Sequence, residues 1–228
     1  MALGGSRITI ESVVESLPSH YSILLVGPPG VGKFEWLLAS ALTFLRRNER
    51  VVLVTLDVHP REVRRRAEAI GLELGKSEGT RFAFIDCFSS SAQPSSEDAD
   101  NPKVWTVSSY SNLEALGMAI SRAASDLKPP VRIVFYSIST LFLHNSPQSI
   151  AKFLQMVTNR VRTELGFIAY AVQEGVHDPQ TLNLLRSLVD GVLEMRFTES
   201  MEREFRTHHL RGLAATPKWE TFRIAGVT

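Results

Sequence analysis

Short apolar runs alternate with helical patterns along most of the chain. Tyr21–Val26, bounded by Pro18 and Gly27, reads as a buried strand. Beyond the glycine- and proline-rich stretch Gly27–Lys33, the residues Phe34, Leu37, Leu38, Leu42 and Leu45 recur at helical spacing to about Arg47. Val51–Leu56 predicts a second strand. Asp57 is expected to cap the following helix, which carries Pro60 in its first turn and runs to Ile70 before Gly71. Phe82–Ile85 predicts a third strand, Leu113–Leu127 a helix and Val131–Phe135 a central strand. Ser146 and Pro147 open a helix whose face is Ile150, Phe153, Leu154, Val157 and Val161, closed by Gly166, and Phe167–Val172 follows as a strand. The tail changes character: Gly191–Phe197, Glu204–Leu210 and Trp219–Ile224 read as antiparallel strands with no helix between them. This alternation predicts an α/β fold of one domain over residues 1–228, with a mainly parallel sheet, helices on both faces and antiparallel C-terminal strands at one edge. Residues 89–103 break the pattern. They are polar, acidic and proline-bearing, and are expected to form a mobile surface loop.

Composition narrows the classes. A hydrophobic fraction of 44% and a charged fraction of 21% over 228 residues suit a globular chain and exclude wholesale disorder. Lys plus Arg is 25 against 24 for Asp plus Glu, so no global basic field exists and nucleic acid, though possible as a partner, would need a local patch. Arg61, Arg64, Arg65 and Arg66 form such a patch on a predicted helix, near Arg46, Arg47 and Arg50. Glu62, Glu68 and Glu73 balance it, which favours a solvated helix face. No apolar run approaches the roughly 18 residues a membrane span needs, and Met-Ala-Leu-Gly-Gly does not open a signal peptide, so a cytoplasmic protein without a membrane partner is expected. The single cysteine, Cys87, adjoins a predicted buried strand and is expected to be core. His208 and His209, as strand neighbours, are expected on opposite faces and not in a shared metal site. Ser137 lacks the flanking glycines of a nucleophile elbow.

The strongest local signal is Gly27-Pro28-Pro29-Gly30-Val31-Gly32-Lys33, which matches the G-x-x-x-x-G-K core of the phosphate-binding loop between a predicted strand and a predicted helix. Glycines let the backbone aim N–H groups inward, the helix start adds partial positive charge, and Lys33 reaches terminal phosphates. The next residue should carry a hydroxyl to ligate magnesium. Here it is Phe34, whose phenyl ring cannot coordinate a cation.

With these residues the chain resembles the RecA superfamily, in particular the KaiC-like and RadA-paralogue ATPases, over nearly its whole length as a single KaiC-type domain. Val54–Arg64 resembles the segment where a strand of that family ends in two glutamates, here Asp57 and Val58. Arg132–Leu141 resembles the magnesium-site strand, with Tyr136 where the family has aspartate. Val172-Gln173 resembles the strand end whose glutamine senses the γ-phosphate, and His209-Leu210-Arg211-Gly212 stands where the family has Lys-Met-Arg-Gly. The resemblance therefore implies a three-layer RecA-type P-loop fold, ATP held by Gly27 through Phe34, Asp57 as remaining base candidate, and Gln173 as phosphate sensor. It also implies His209 and Arg211 acting on the nucleotide of a neighbouring subunit, either another copy or an intact paralogue. Phe34, Tyr136 and Val58 together remove the metal ligand, its second anchor and a base, so magnesium is expected to be weakly used or absent. Phenol is neutral near pH 7, and phosphoryl transfer depends on the lost groups. The expected function is a nucleotide-binding regulatory or scaffold pseudo-ATPase. The alternatives are an active ATPase in signalling or DNA recombination and repair, and an interaction module that has lost nucleotide binding. Phe34 and Tyr136 are expected to face each other and partly fill the metal position.

Overall fold

A computed structural model describes residues 13, 15–71, 73–89 and 104–222. The loop expected to be mobile lies outside these apart from Ser89, as do residues 223 and 224 of the last predicted strand. The strands are β1 (Tyr21–Gly27), β2 (Arg50–Thr55), β3 (Phe82–Asp86), β4 (Val104–Thr106), β5 (Val131–Tyr136), β6 (Gly166–Gln173), β7 (Gly191–Phe197), β8 (Arg203–Leu210) and β9 (Glu220–Thr221). The longer helices are α1 (Lys33–Arg46), α2 (Pro60–Ala69), α3 (Leu113–Leu127), α4 (Pro147–Arg160) and α5 (Pro179–Ser187).

The strands form one sheet in the order β4-β3-β2-β5-β6-β1-β7-β8-β9, parallel from β4 through β7 and antiparallel beyond. Successive strand residues point to opposite faces, so a strand covered on both sides must be apolar throughout. In β1, Leu24 and Val26 join one core while Ile23 and Leu25 join the other, and none is more than 1% exposed. Ile120, Phe153 and Leu185, from α3, α4 and α5, cover the first face; Trp36, Phe44 and Val63, from α1 and α2, cover the second. The result is a three-layer α/β fold with a mostly parallel central sheet.

The tail strands β7, β8 and β9 run antiparallel to one another as expected, and β7 also runs parallel to β1, pairing Ile23 with Gly191 through Val26 with Glu194. Parallel neighbours require a crossover. The helix that makes it, α5, is absent from the sequence reading; Asp178 caps it by accepting from the Thr181 N–H, and Pro179 opens it. Asp57, expected to cap α2, does not. His59 does, its Nδ1 accepting from the Arg61 N–H at 3.1 Å, and this leaves the Asp57 side chain to turn elsewhere.

Candidate functional site

The carboxyl ends of β2, β5, β6, β1 and β7 share one edge of the sheet, the edge where open α/β sheets place their ligands. A cleft of about 510 Å³ opens there, lined by the loop after β1 together with Asp57, Val58, Tyr136, Thr140 and Gln173. Residues from four separate strand ends are thus brought to one place, as the sequence reading requires.

The loop has the geometry for an anion. Gly32 caps α1 at φ 103°, a left-handed conformation that glycine adopts without cost, and no side chain bonds the first N–H groups of the helix. The helices α2 to α5 all have a side-chain cap, from His59, Asn112, Ser146 and Asp178. Gly27 is required for another reason: a Cβ there would lie 2.9 Å from the Met195 carbonyl oxygen, so β7 packs directly on the start of the loop. Val31 is fully buried and anchors the loop in the core beneath α1. Lys33 is 4% exposed and donates from Nζ to the carbonyls of Gly27 and Pro28, both at 2.7 Å. Burial lowers its pKa from 10.5 to about 8, against the pull of the Glu174 and Glu35 carboxylates. The ammonium thus closes the loop on itself.

The opposite wall is built differently. The rings of Phe34 and Tyr136 meet edge to face, with centroids 5.1 Å apart. Burial, with the charges of Asp57 and Glu35, pushes the Tyr136 phenol up to about 12, so it stays neutral. Thr140 donates a short hydrogen bond from Oγ1 to Asp57 Oδ1. Burial raises the Asp57 carboxyl above its ordinary range, and the Thr140 bond only partly opposes this. Gln173 lines the cleft, its backbone N–H donating to Ser139 Oγ at 2.8 Å. The same hydroxyl contacts His177 Nε2 at 2.9 Å, which fixes the end of β6.

Sequence reasoning missed Glu35, Arg66, Thr140 and Arg203, which also line the cleft. Arg66 belongs to the basic stretch read as a solvated face. That reading holds for its neighbours: Arg64 pairs with Glu78 over the Phe84 ring, and Arg65 pairs with Glu62. Arg66 also reaches Glu62, at 2.7 Å, but its guanidinium lies over the Phe34 ring, 5.1 Å from the centroid. The available signal was its place on the helix that follows β2, at the edge the loop occupies.

His209 and Arg211 do not join this cleft. They lie at and beyond the far end of β8, which enters the cleft at Arg203 and runs about 25 Å before reaching them. Arg211 bonds Asp190 at 3.0 Å. Local burial, His208 and Arg211 hold His209 below its usual range. The two histidines are not separated by strand alternation as expected. A register shift between Val192 and Leu193 leaves one extra residue on β8, and the rings approach to 5.8 Å. Cys87 is 1% exposed, and burial pushes its thiol up to about 12, as suits a core residue. No described helix is long and apolar enough to cross a membrane.

Comparison with known proteins gives a family. The profile of the family of unknown function DUF7504 matches residues 21–195, which span β1 through most of β7. The chain is similar to UPF0273 proteins: 30% identical over 167 residues to one from Saccharolobus solfataricus, covering 72% of this chain and 56% of that protein. It is 26% identical to one from Pyrobaculum aerophilum over 86% of this chain and 69% of the relative. One from Thermotoga maritima is 23% identical over 91% and 86%. This chain therefore spans little more than half the length of the Saccharolobus relative.

Proposed function

The chain belongs to the family of unknown function DUF7504, and we propose that within it this protein is a RecA- and KaiC-like nucleotide-binding member that acts as a regulatory or scaffold protein without ATP turnover. The observation that carries the reading is the contrast across one cleft: Lys33 and an uncapped helix start on one wall, and the Phe34–Tyr136 ring pair on the other. ATP is the proposed ligand. The backbone N–H groups of Gly30 to Lys33 and the Lys33 ammonium would hold its phosphates.

Magnesium does not fit the residues present. Phe34 offers no donor atom, the Tyr136 phenol is protonated, and Asp57 is engaged by Thr140. Among the described residues no group of three or more His, Cys, Asp or Glu is placed to hold a metal. Asp57 stands as a single carboxylate with Val58 beside it, and its Oδ1 is already taken up by the Thr140 hydroxyl, so no second carboxylate shares the task of orienting and deprotonating a water. Assembly is part of the proposal. His209 and Arg211 lie too far from their own cleft to serve it, so they would act on a neighbour's, in another copy or an intact paralogue.

Calorimetric titration of ATP into the wild type and Lys33→Ala tests the reading. The wild type should bind, and Lys33→Ala should lose about a hundredfold in affinity, the scale of one or two hydrogen bonds to a charged group. Phosphate release should match the variant's background. Absence of binding by the wild type, or turnover that Lys33→Ala abolishes, would overturn it.

A further inference from the structure

The cleft contains two cations besides Lys33 that no motif accounts for. Arg66 comes from α2, which follows β2, three strands from β1 on one side. Arg203 opens β8, two strands from β1 on the other. Both line the same space as the loop.

Their surroundings differ in a way that matters. Arg66 is held on three sides. Its guanidinium lies over the Phe34 ring, its Nε donates to Glu62 Oε1 at 2.7 Å, and its Nη1 donates to Glu35 Oε1 at 3.2 Å. A cation over an aromatic face is attracted by the ring quadrupole, so Phe34 forms a seat for positive charge. Arg203 has the opposite character: its Nε is buried and has no hydrogen-bond partner. A buried unpaired donor on a charged group costs free energy that an anionic ligand would recover.

We propose that Arg66, seated on Phe34, together with Arg203, takes the place of the divalent cation, so that this cleft binds a nucleoside polyphosphate without metal. The inference rests on the nucleotide-binding reading and goes beyond it by naming the ionic form of the ligand and the residues that neutralise it. Phe34 then exchanges one cation for another: the hydroxyl that would have ligated a metal is replaced by a ring that positions a guanidinium. The exchange is chemically coherent. A guanidinium stays charged throughout the accessible pH range and presents a planar fork that matches two phosphate oxygens at once. The lining sets Lys33, Arg66 and Arg203 against Glu35 and Asp57, with Glu62 beside Arg66 and Glu174 near Lys33 just outside it, so the cations meet a phosphate only as these carboxylates give way. Glu35 and Glu62 hold Arg66 in the meantime, and Glu35, the longer contact and the one that lines the cleft, is the group the phosphate displaces first.

The test is ATP titration of the full chain with magnesium and with a chelator, in the wild type, Arg66→Gln, Arg66→Lys, Arg203→Gln and Glu35→Gln. Wild-type affinity should hold or rise on chelation, since the arginines then meet the full phosphate charge. Arg66→Gln and Arg203→Gln should each weaken binding by about tenfold or more, Arg66→Lys by less, and Glu35→Gln should strengthen it by about threefold. A merely structural Arg66 would not give the opposite signs for Arg66→Gln and Glu35→Gln. Collapse of wild-type affinity on chelation, or unchanged affinity in Arg66→Gln beside a severe loss in Lys33→Ala, overturns this inference and leaves nucleotide binding standing. No binding under either condition overturns both.

Discussion

On the proposed reading, the two walls of the cleft divide between them the parts of a nucleotide enzyme. The wall built by the loop and the start of α1 has what is needed to grip phosphate: backbone N–H groups without a cap, a glycine at φ 103° and a buried ammonium. The wall built by the ends of β2 and β5 carries a pair of packed rings, Phe34 and Tyr136, where the proposed reading would put a cation and its ligands. Gripping depends on backbone shape and one lysine, which a chain keeps as long as its fold keeps the turn. Cleavage depends on a metal ligand, an anchoring carboxylate and a base, each supplied by one side chain and removable by one substitution. On that reading the two capacities are separable within one cleft.

Four measurements break or sharpen it, taken from the largest effect down. The first is pH. The loop wall depends on a protonated Lys33 whose pKa is about 8. ATP affinity should therefore fall as pH rises above 8, approaching tenfold per unit until the pKa of the bound state is passed. Stability moves the other way. The unfolded lysine titrates near 10.5, so the unfolded chain holds more protons between pH 8 and 10.5, and folding stability from this group rises across that window. Affinity that stays flat to pH 10 would remove Lys33 from the phosphate site.

The second rebuilds the other wall. Phe34→Thr with Tyr136→Asp should introduce a magnesium dependence of about tenfold in ATP affinity, read by titration with and without chelator. It should also cost about 2–4 kcal/mol of stability in urea unfolding, because two packed rings are lost. If no dependence appears, the rings do not occupy the metal position. The third concerns assembly: Arg211→Ala should weaken self-association by about threefold to tenfold in sedimentation while the chain stays folded, since Arg211 is itself exposed and the buried Asp190 keeps Arg162 and Ser22 as partners. A wild type that remains monomeric at high concentration, with ATP and with an intact paralogue, would end that reading. The smallest effect is expected from Tyr136→Phe. It keeps the ring contact and removes only a neutral hydroxyl, so stability and affinity should stay within about 0.5 kcal/mol of wild type. A larger change would show that the phenol itself contacts the ligand.

The sequence shows the loop wall better than its opposite for a physical reason. The loop is seven consecutive residues between a strand and a helix, so its chemistry is local and survives reading in one dimension. Phe34 against Tyr136 is visible only as two departures from a resemblance, and their contact, expected on that basis, is present at 5.1 Å. Arg66 and Arg203 are 137 positions apart and meet the loop only through the strand order. The same limit explains β7, whose apolar pattern reveals a strand but not that it takes β1 on one edge and β8 on the other. It also explains α5, where only Thr181, Leu182 and Leu185 are buried, too few to register as a helical stripe. Asp57 reads as a cap because aspartate commonly caps helices, whereas in the fold His59 takes that place and the Asp57 carboxylate accepts from Thr140, 83 residues away.

The place of β1 in the sheet has a consequence for how the chain is made. Its two neighbours are β6 and β7, so the strand that carries the loop finds no partner until Gly166 and then Gly191 have been synthesised. Until then β1 is an apolar segment with both edges open, the kind of element that aggregates or recruits chaperones while it waits. By contrast, β2, β3 and β5 can pair among themselves earlier. The loop after β1 is therefore among the first parts of the sheet to be translated and among the last to be set in place, and a ribosome-stalled chain ending before β6 would expose the segment while lacking the site.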